Sequence, residues 1–181
     1  MCKLMRTAFI ISLICLTVTF QLLSSCDNLS KSKINSDKLV DTFKASLTER
    51  QIDKSDFYIS LPRDYQLKSH DGPDFSVYYF SLADTTITEN YSGGLYFGNF
   101  PGKFGADNDS CKTTTIRSKI LDNLALWTVF NCDGRYSLQT IVQSKSGQGW
   151  NEYIHAFGHA KSESNLNKML EIFLTLKQRK K

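Results

Sequence analysis

The sequence predicts an α+β protein, with one antiparallel β-sheet of about six to seven strands flanked by an N-terminal and a C-terminal helix. Three observations carry this expectation. Apolar residues alternate with a period of two from Phe57 to Leu82 and again across residues 113–143, the pattern of strands with two distinct faces. Turn dipeptides at Asp122-Asn123 and Asp133-Gly134 divide the second stretch into three strands, and Asp-Gly is a favoured two-residue hairpin turn. Leu166, Met169, Leu170, Phe173 and Leu174 recur at i, i+3, i+4, i+7 and i+8, a single helical stripe.

The chain begins with a different kind of segment. Lys3 and Arg6 precede an apolar run from Thr7 to Leu23, and two serines then lead to Cys26. A basic start, an apolar middle and small residues at a cut site describe an export signal. Its apolar run of about 17 residues is at the short limit for a spanning helix. Leu23-Ser24-Ser25-Cys26 resembles the lipobox of bacterial lipoprotein precursors. That resemblance implies a diacylglyceryl group on the Cys26 thiol, further acylation such as palmitate, and cleavage before Cys26. Two or more acyl chains hold a protein stably on a bilayer, at roughly 0.8 kcal/mol per buried methylene. The competing reading is an uncleaved anchor helix with Cys26 incidental. The expected organisation is a signal peptide over 1–25, a lipidated tether over 26–36 and a single α+β domain over 37–181. The expected location is the bacterial cell membrane or outer membrane, with the domain outside the cytoplasm.

Each element of that domain has its own signal. Asp27 to Ser36 is polar and aperiodic, and ten such residues reach about 17 Å. Ser36 and Asp37 are good N-caps for a helix over residues 38–49 carrying Leu39, Val40, Phe43 and Leu47. Phe57 to Leu61 is a strand stopped by Pro62, and Tyr65 and Leu67 start a second before the His70-Asp71-Gly72-Pro73 turn cluster. Asp74 to Leu82 has apolar residues on both faces, which predicts a central strand. A Gly-rich strand, Gly93 to Gly98, follows. In the expected meander Ile116 faces Val129, Ser118 faces Trp127 and Ile120 faces Ala125; across the second hairpin Val129 faces Leu138, Trp127 faces Thr140 and Ala125 faces Val142. Ile116, Ile120, Trp127, Val129, Leu138 and Val142 then share one face. A final strand over Trp150 to His159 precedes the helix that Ser162 or Ser164 caps.

Cysteine use agrees with export. With Cys2 and Cys15 in the signal and Cys26 lipidated, Cys111 and Cys132 remain, an even pair for an oxidising compartment. The expected register makes them diagonal neighbours, and a two-residue shift of the first turn would set them directly opposite. A disulfide is the favoured reading and two separate thiols the alternative.

Phe57 to Pro62, Gly72 to Phe80, Gly94 to Gly98, Leu124 to Val142 with its Asp-Gly-Arg-Tyr turn, and Trp150 to Leu176 follow one another in an order that resembles the PsbP-like sandwich. The resemblance implies an antiparallel sheet between helices and a tendency toward non-catalytic work.

Catalytic and cofactor motifs do not occur: there is no Gly-x-Ser-x-Gly elbow, phosphate loop, dinucleotide fingerprint, His-Glu-x-x-His or Cys-x-x-Cys. No cofactor and no metal are expected. His155 and His159 are four apart in a strand pattern, hence about 13 Å from each other and unable to share an ion. Asp107-Asn108-Asp109 lacks the glycine and distal glutamate of a calcium loop. His70-Asp71 is the remaining acid–base pair to test. Tyr91, Tyr96, Phe97, Phe100 and Phe104 alternate with glycines; they are core aromatics or, for Tyr91, Tyr96, Phe100 and Phe104, a candidate binding rim. The net charge of +4 includes Lys3 and Arg6 of the signal, so no nucleic-acid partner is expected. The basic tail Lys177-Gln178-Arg179-Lys180-Lys181 reads as a solvated end or a contact with anionic head groups.

These features lead to an envelope lipoprotein acting as a non-catalytic binding or accessory module, attached to the membrane through Cys26 and facing an envelope protein or other ligand. A specialised form is an immunity or inhibitor lipoprotein against a secreted toxin or hydrolase. The alternative is an envelope hydrolase built on His70, Asp71 and the aromatic loop.

Overall fold

The computed structural model describes residues 40–88, 90–106, 109–144 and 152–179. Leu23, Ser24, Ser25, Cys26, the tether, Asp107, Asn108 and Trp150 lie outside the described residues. The chain divides into two units, Met1–Ala45 and Ser46–Lys181. The described part of the first is helical, and this helix, α1, covers residues 40–46. The helix expected to reach residue 49 is thus cut short, because β1 (Thr48–Gln51) takes over its last turn. β1 pairs antiparallel with β2 (Phe57–Leu61), Thr48 opposite Leu61, and the Arg50 guanidinium donates to the carbonyls of Pro62 and Arg63. Helix propensity differs by only a few tenths of a kcal/mol for such residues, and these long-range bonds override it.

The second unit is built on a seven-stranded antiparallel sheet. Its strands are β3 (Tyr65–Asp71), β4 (Phe75–Leu82), β5 (Tyr91–Gly98), β6 (Lys112–Ile120), β7 (Asn123–Cys132), β8 (Arg135–Gln143) and β9 (Tyr153–Ala160), in the spatial order β3-β4-β5-β9-β8-β7-β6. Two meanders are therefore joined by β9, the last long strand in sequence and the central one in space. β4 is paired on both sides, as its two apolar faces require, but stands next to the edge rather than at the centre. A short β10 (Lys177–Gln178) adds to the free side of β2 and completes a three-stranded sheet with β1.

One face of the large sheet is covered by α2 (Glu163–Leu174). Ser162 caps it, its side chain accepting from the Asn165 N–H at 3.3 Å. Leu166, Met169, Leu170, Ile172 and Phe173 are buried, as the stripe predicts except that Ile172 is added and Leu174 is only half-buried. Phe173 lies between Phe80, 5.6 Å away, and Trp127, 5.0 Å away. Trp127 and Leu138 are fully buried and Val129 nearly so. Met169 crosses β9 at Gly158, where a Cβ would come within 2.3 Å of the Met169 sulfur and 2.7 Å of the Ser92 carbonyl oxygen. Glycine is the residue that admits the helix there.

The first hairpin turns one residue earlier than expected, at Leu121-Asp122, with φ of 52° and 61°. These are type I′ values. Ile116 now faces Trp127 and Ser118 faces Ala125, a two-residue slip from the expected register. A slip of two leaves every side chain on its own face, so the apolar face survives. Leu121 is only 3% exposed, and its burial offsets the left-handed conformation that a polar Asp-Asn pair would adopt more easily. The second hairpin turns at Asp133-Gly134 with Val129 facing Leu138, as expected. The β7–β8 ladder stops at Thr128 opposite Gln139 and does not continue to Trp127 opposite Thr140. Beyond it the Thr140 hydroxyl donates to the Leu126 carbonyl at 2.9 Å, taking the acceptor that the next rung would use.

Candidate functional site

The slip of the first hairpin sets Cys111 directly across from Cys132, and the two form a disulfide with Cα atoms 4.4 Å apart. It ties the end of β7 to the start of β6, beside the turn into β8. Next to it, where β5 and β8 begin and β9 ends, lies a pocket of about 320 Å³. Asn90, Ser92, Cys132, Arg135, Ser137, His159 and Lys161 contribute polar or charged edges to it, and Tyr91, Tyr136 and Ala160 the rest.

The register explains this gathering. Ser92 faces His159 and Ser137 faces His159 from the other side, so the three form one rung across β5, β9 and β8. Strand side chains alternate, which puts all three on the face turned away from α2, with Ser137 Oγ and His159 Nδ1 hydrogen-bonded at 2.9 Å. Deeper on the same face, two residues along β8 and four along β9, His155 Nε2 donates to Gln139 Oε1 at 3.1 Å. That oxygen also accepts from the Phe104 N–H at 3.1 Å, while the Gln139 amide nitrogen donates back to the Phe104 carbonyl. Gln139 therefore grips the Phe104 backbone with both ends of its amide. The Phe104 ring then covers both histidines, 6.1 Å from His155 and 6.3 Å from His159. Burial, and secondly the charge of Lys103, pushes His155 down to about 4, so its ring is neutral at physiological pH. Burial likewise pushes the Tyr91 hydroxyl up to about 12, and it stays a phenol.

The expected rim is only partly assembled. Tyr91 lines the pocket and Phe104 shields the histidine side of it. Tyr96 points to the opposite face from Tyr91, since five residues on a strand reverse the direction. It stacks on Phe75 at 5.6 Å, and its hydroxyl oxygen accepts the Phe100 N–H at 3.3 Å. Phe100 is 77% exposed at the far end of β5. Tyr91, Tyr96, Phe100 and Phe104 thus do not enclose one site.

His70 and Asp71 do not form an acid–base pair. Both are exposed on β3, an edge strand, and as consecutive strand residues they point to opposite faces. His155 and His159 sit four apart on β9 as expected, and among the described residues no group of three or more His, Cys, Asp or Glu gathers as metal ligands. The basic tail is also not a free end. Lys177 and Arg179 both pair with Glu49, Arg179 at 2.6 Å, and Arg179 stacks over Tyr58 at 4.6 Å. These partners hold the Glu49 carboxyl below its usual range, with the Lys177 hydrogen bond the largest cause. Lys180 and Lys181 lie outside the described residues.

Ser137, Arg135 and Lys161 were not singled out by the sequence. Their signal is register: they meet only once β9 is known to pair with both β5 and β8.

The molecule belongs, by its fold, to the α+β class with a large antiparallel sheet and a helix across one face. Compared with known protein families, curated proteins and solved structures, the chain has no match. Among the described residues no helix is long and apolar enough to cross a membrane.

Proposed function

We propose that this protein is a non-catalytic binding module of the bacterial envelope, held to the membrane by lipid on Cys26, with the pocket at the end of the sheet as its ligand site. The observation that carries the reading is the composition of that pocket: convergent hydroxyl, amide, imidazole and cationic groups beside a disulfide strand end, with Tyr91, Tyr136 and Ala160 completing the lining. Small-ligand sites have this mixture of apolar wall and a few polar groups. The lipobox Leu23-Ser24-Ser25-Cys26 supports the location, and the disulfide suits an oxidising compartment. A PsbP-like relationship agrees with the helix-covered antiparallel sheet.

Two measurements test this. Cys26→Ser is expected to abolish labelling by palmitate and release the protein from the membrane fraction; unchanged labelling refutes the anchor. Affinity capture from native membranes is expected to return a ligand or partner that Asn90→Trp, a bulky ring at the exposed lip of the pocket, displaces.

A second reading has one observation in its favour. Ser137 and His159 are a hydroxyl–imidazole pair inside the pocket, the pairing by which a base activates a nucleophile. Among the described residues no carboxylate bonds the other nitrogen of His159. Turnover of an envelope substrate, lost in Ser137→Ala, would favour this reading over the first.

A further inference from the structure

The pocket's outermost rung has an unusual charge arrangement. β8 and β9 are aligned with Tyr136 opposite Ala160 and Ser137 opposite His159. One more residue in this register sets Arg135 opposite Lys161. The Lys161 N–H donates to the Asn90 carbonyl at 2.9 Å, one residue past the last β5–β9 pair. Arg135 and Lys161 thus lie one position past the last β8–β9 pair, and both line the pocket. By alternation both cations stand on the same face as Ser137 and His159, one rung further out.

Like charges directly opposite each other on a sheet destabilise it. Neither cation forms an ion pair among the described residues, and none of the residues lining the pocket is acidic. Donors surround the position: the Ser137 and Ser92 hydroxyls and the Asn90 amide. An oxyanion placed here would relieve the repulsion and take hydrogen bonds from both cations, which are roughly twice as strong as neutral ones.

We propose that the pocket binds a small ligand through a carboxylate or phosphate group, held between Arg135 and Lys161 above the Ser137–His159 rung. This rests on the reading of the pocket as a ligand site and names the chemistry of its ligand. A pocket of about 320 Å³ has room for a small molecule or a head group.

The test uses full-length protein, with inorganic phosphate and acetate as probes, read by calorimetry and by thermal unfolding. At least one probe is expected to bind and to raise Tm. Arg135→Gln and Lys161→Gln should each weaken that binding about tenfold or more. Without any probe, either variant should melt about 1–3 °C higher than the parent, because the like-charge contact is gone. A cation that served only the fold would give the opposite sign. Lys54→Gln, a substitution at an exposed site away from the pocket, should change neither quantity. Tighter binding of phosphate assigns a tetrahedral group, and tighter binding of acetate a planar one. Binding that is unchanged in the Arg135→Gln/Lys161→Gln double variant, or no binding of either probe, overturns the inference. If in that event Asn90→Trp still displaces a captured partner, the binding-module reading stands and only its ligand chemistry is wrong.

Discussion

At the scale of single residues, His155 and Gly158 show how much depends on one side chain, or on having none. His155 is 5% exposed and its ring is held neutral by burial. With the folded value near 4 and the unfolded one near 6.5, the unfolded chain takes up a proton between these values that the folded protein refuses. Stability is then full above about pH 6.5 and falls as the pH drops toward 4, by up to about 3 kcal/mol. Denaturant titrations across that range should show the slope, and His155→Gln, which keeps a donor for Gln139 but does not titrate, should flatten it. Gly158 lies under Met169. Gly158→Ala should cost about 1–3 kcal/mol, since both a side chain and the Ser92 backbone would have to move. Restoring space with Met169→Ala should not recover the loss, because the backbone contact remains.

At the scale of elements, the first hairpin decides where the disulfide can form. The turn at Leu121-Asp122 and the pairing of Cys111 with Cys132 are two consequences of one register. The bond closes a loop with a sequence separation of 21 and should contribute about 3 kcal/mol by restricting the unfolded chain. Replacing both cysteines by serine is expected to lower the denaturant midpoint accordingly, with no change in pairing elsewhere. Non-reducing mass analysis should find the pair two hydrogens lighter than two thiols. The same bond stands at the wall of the pocket, so the double replacement should also weaken whatever the pocket holds.

At the scale of the whole molecule, β9 is the piece on which the sheet depends. The β3–β4–β5 and β6–β7–β8 meanders meet only through it. A chain ending after Ser144 would keep both meanders but leave each with an unpaired inner edge and no helix over its apolar face. Such a truncation should lose cooperative unfolding and the dispersion of its amide resonances. Observing a folded core in it would show that one meander is stable alone. A sheet closed by its last strand has many contacts distant in sequence, and folding in milliseconds to seconds is the corresponding expectation.

The sequence alone determined the local features. Local pattern located strands of the large sheet, the Asp133-Gly134 turn, the single apolar stripe of α2 and a serine cap at Ser162 or Ser164, and these need only neighbours along the chain to be read. The face shared by Ile120, Trp127, Val129 and Leu138 was also legible, because a two-residue slip cannot alter it. Whatever depended on partners far along the chain was decided by tertiary structure. Thr48 to Gln51 became a strand because β2 offered it a ladder, and Lys177 and Arg179 became ordered because Glu49 lay across from them. Tyr91 and Phe104 border the pocket while Tyr96 and Phe100 do not, since strand direction and the grip of Gln139 placed them. Arg135, Ser137, His159 and Lys161 meet because a strand from the end of the chain inserts between two others. No local pattern encodes that insertion; it follows from burying the apolar face of β9 under the helix and satisfying both of its edges at once.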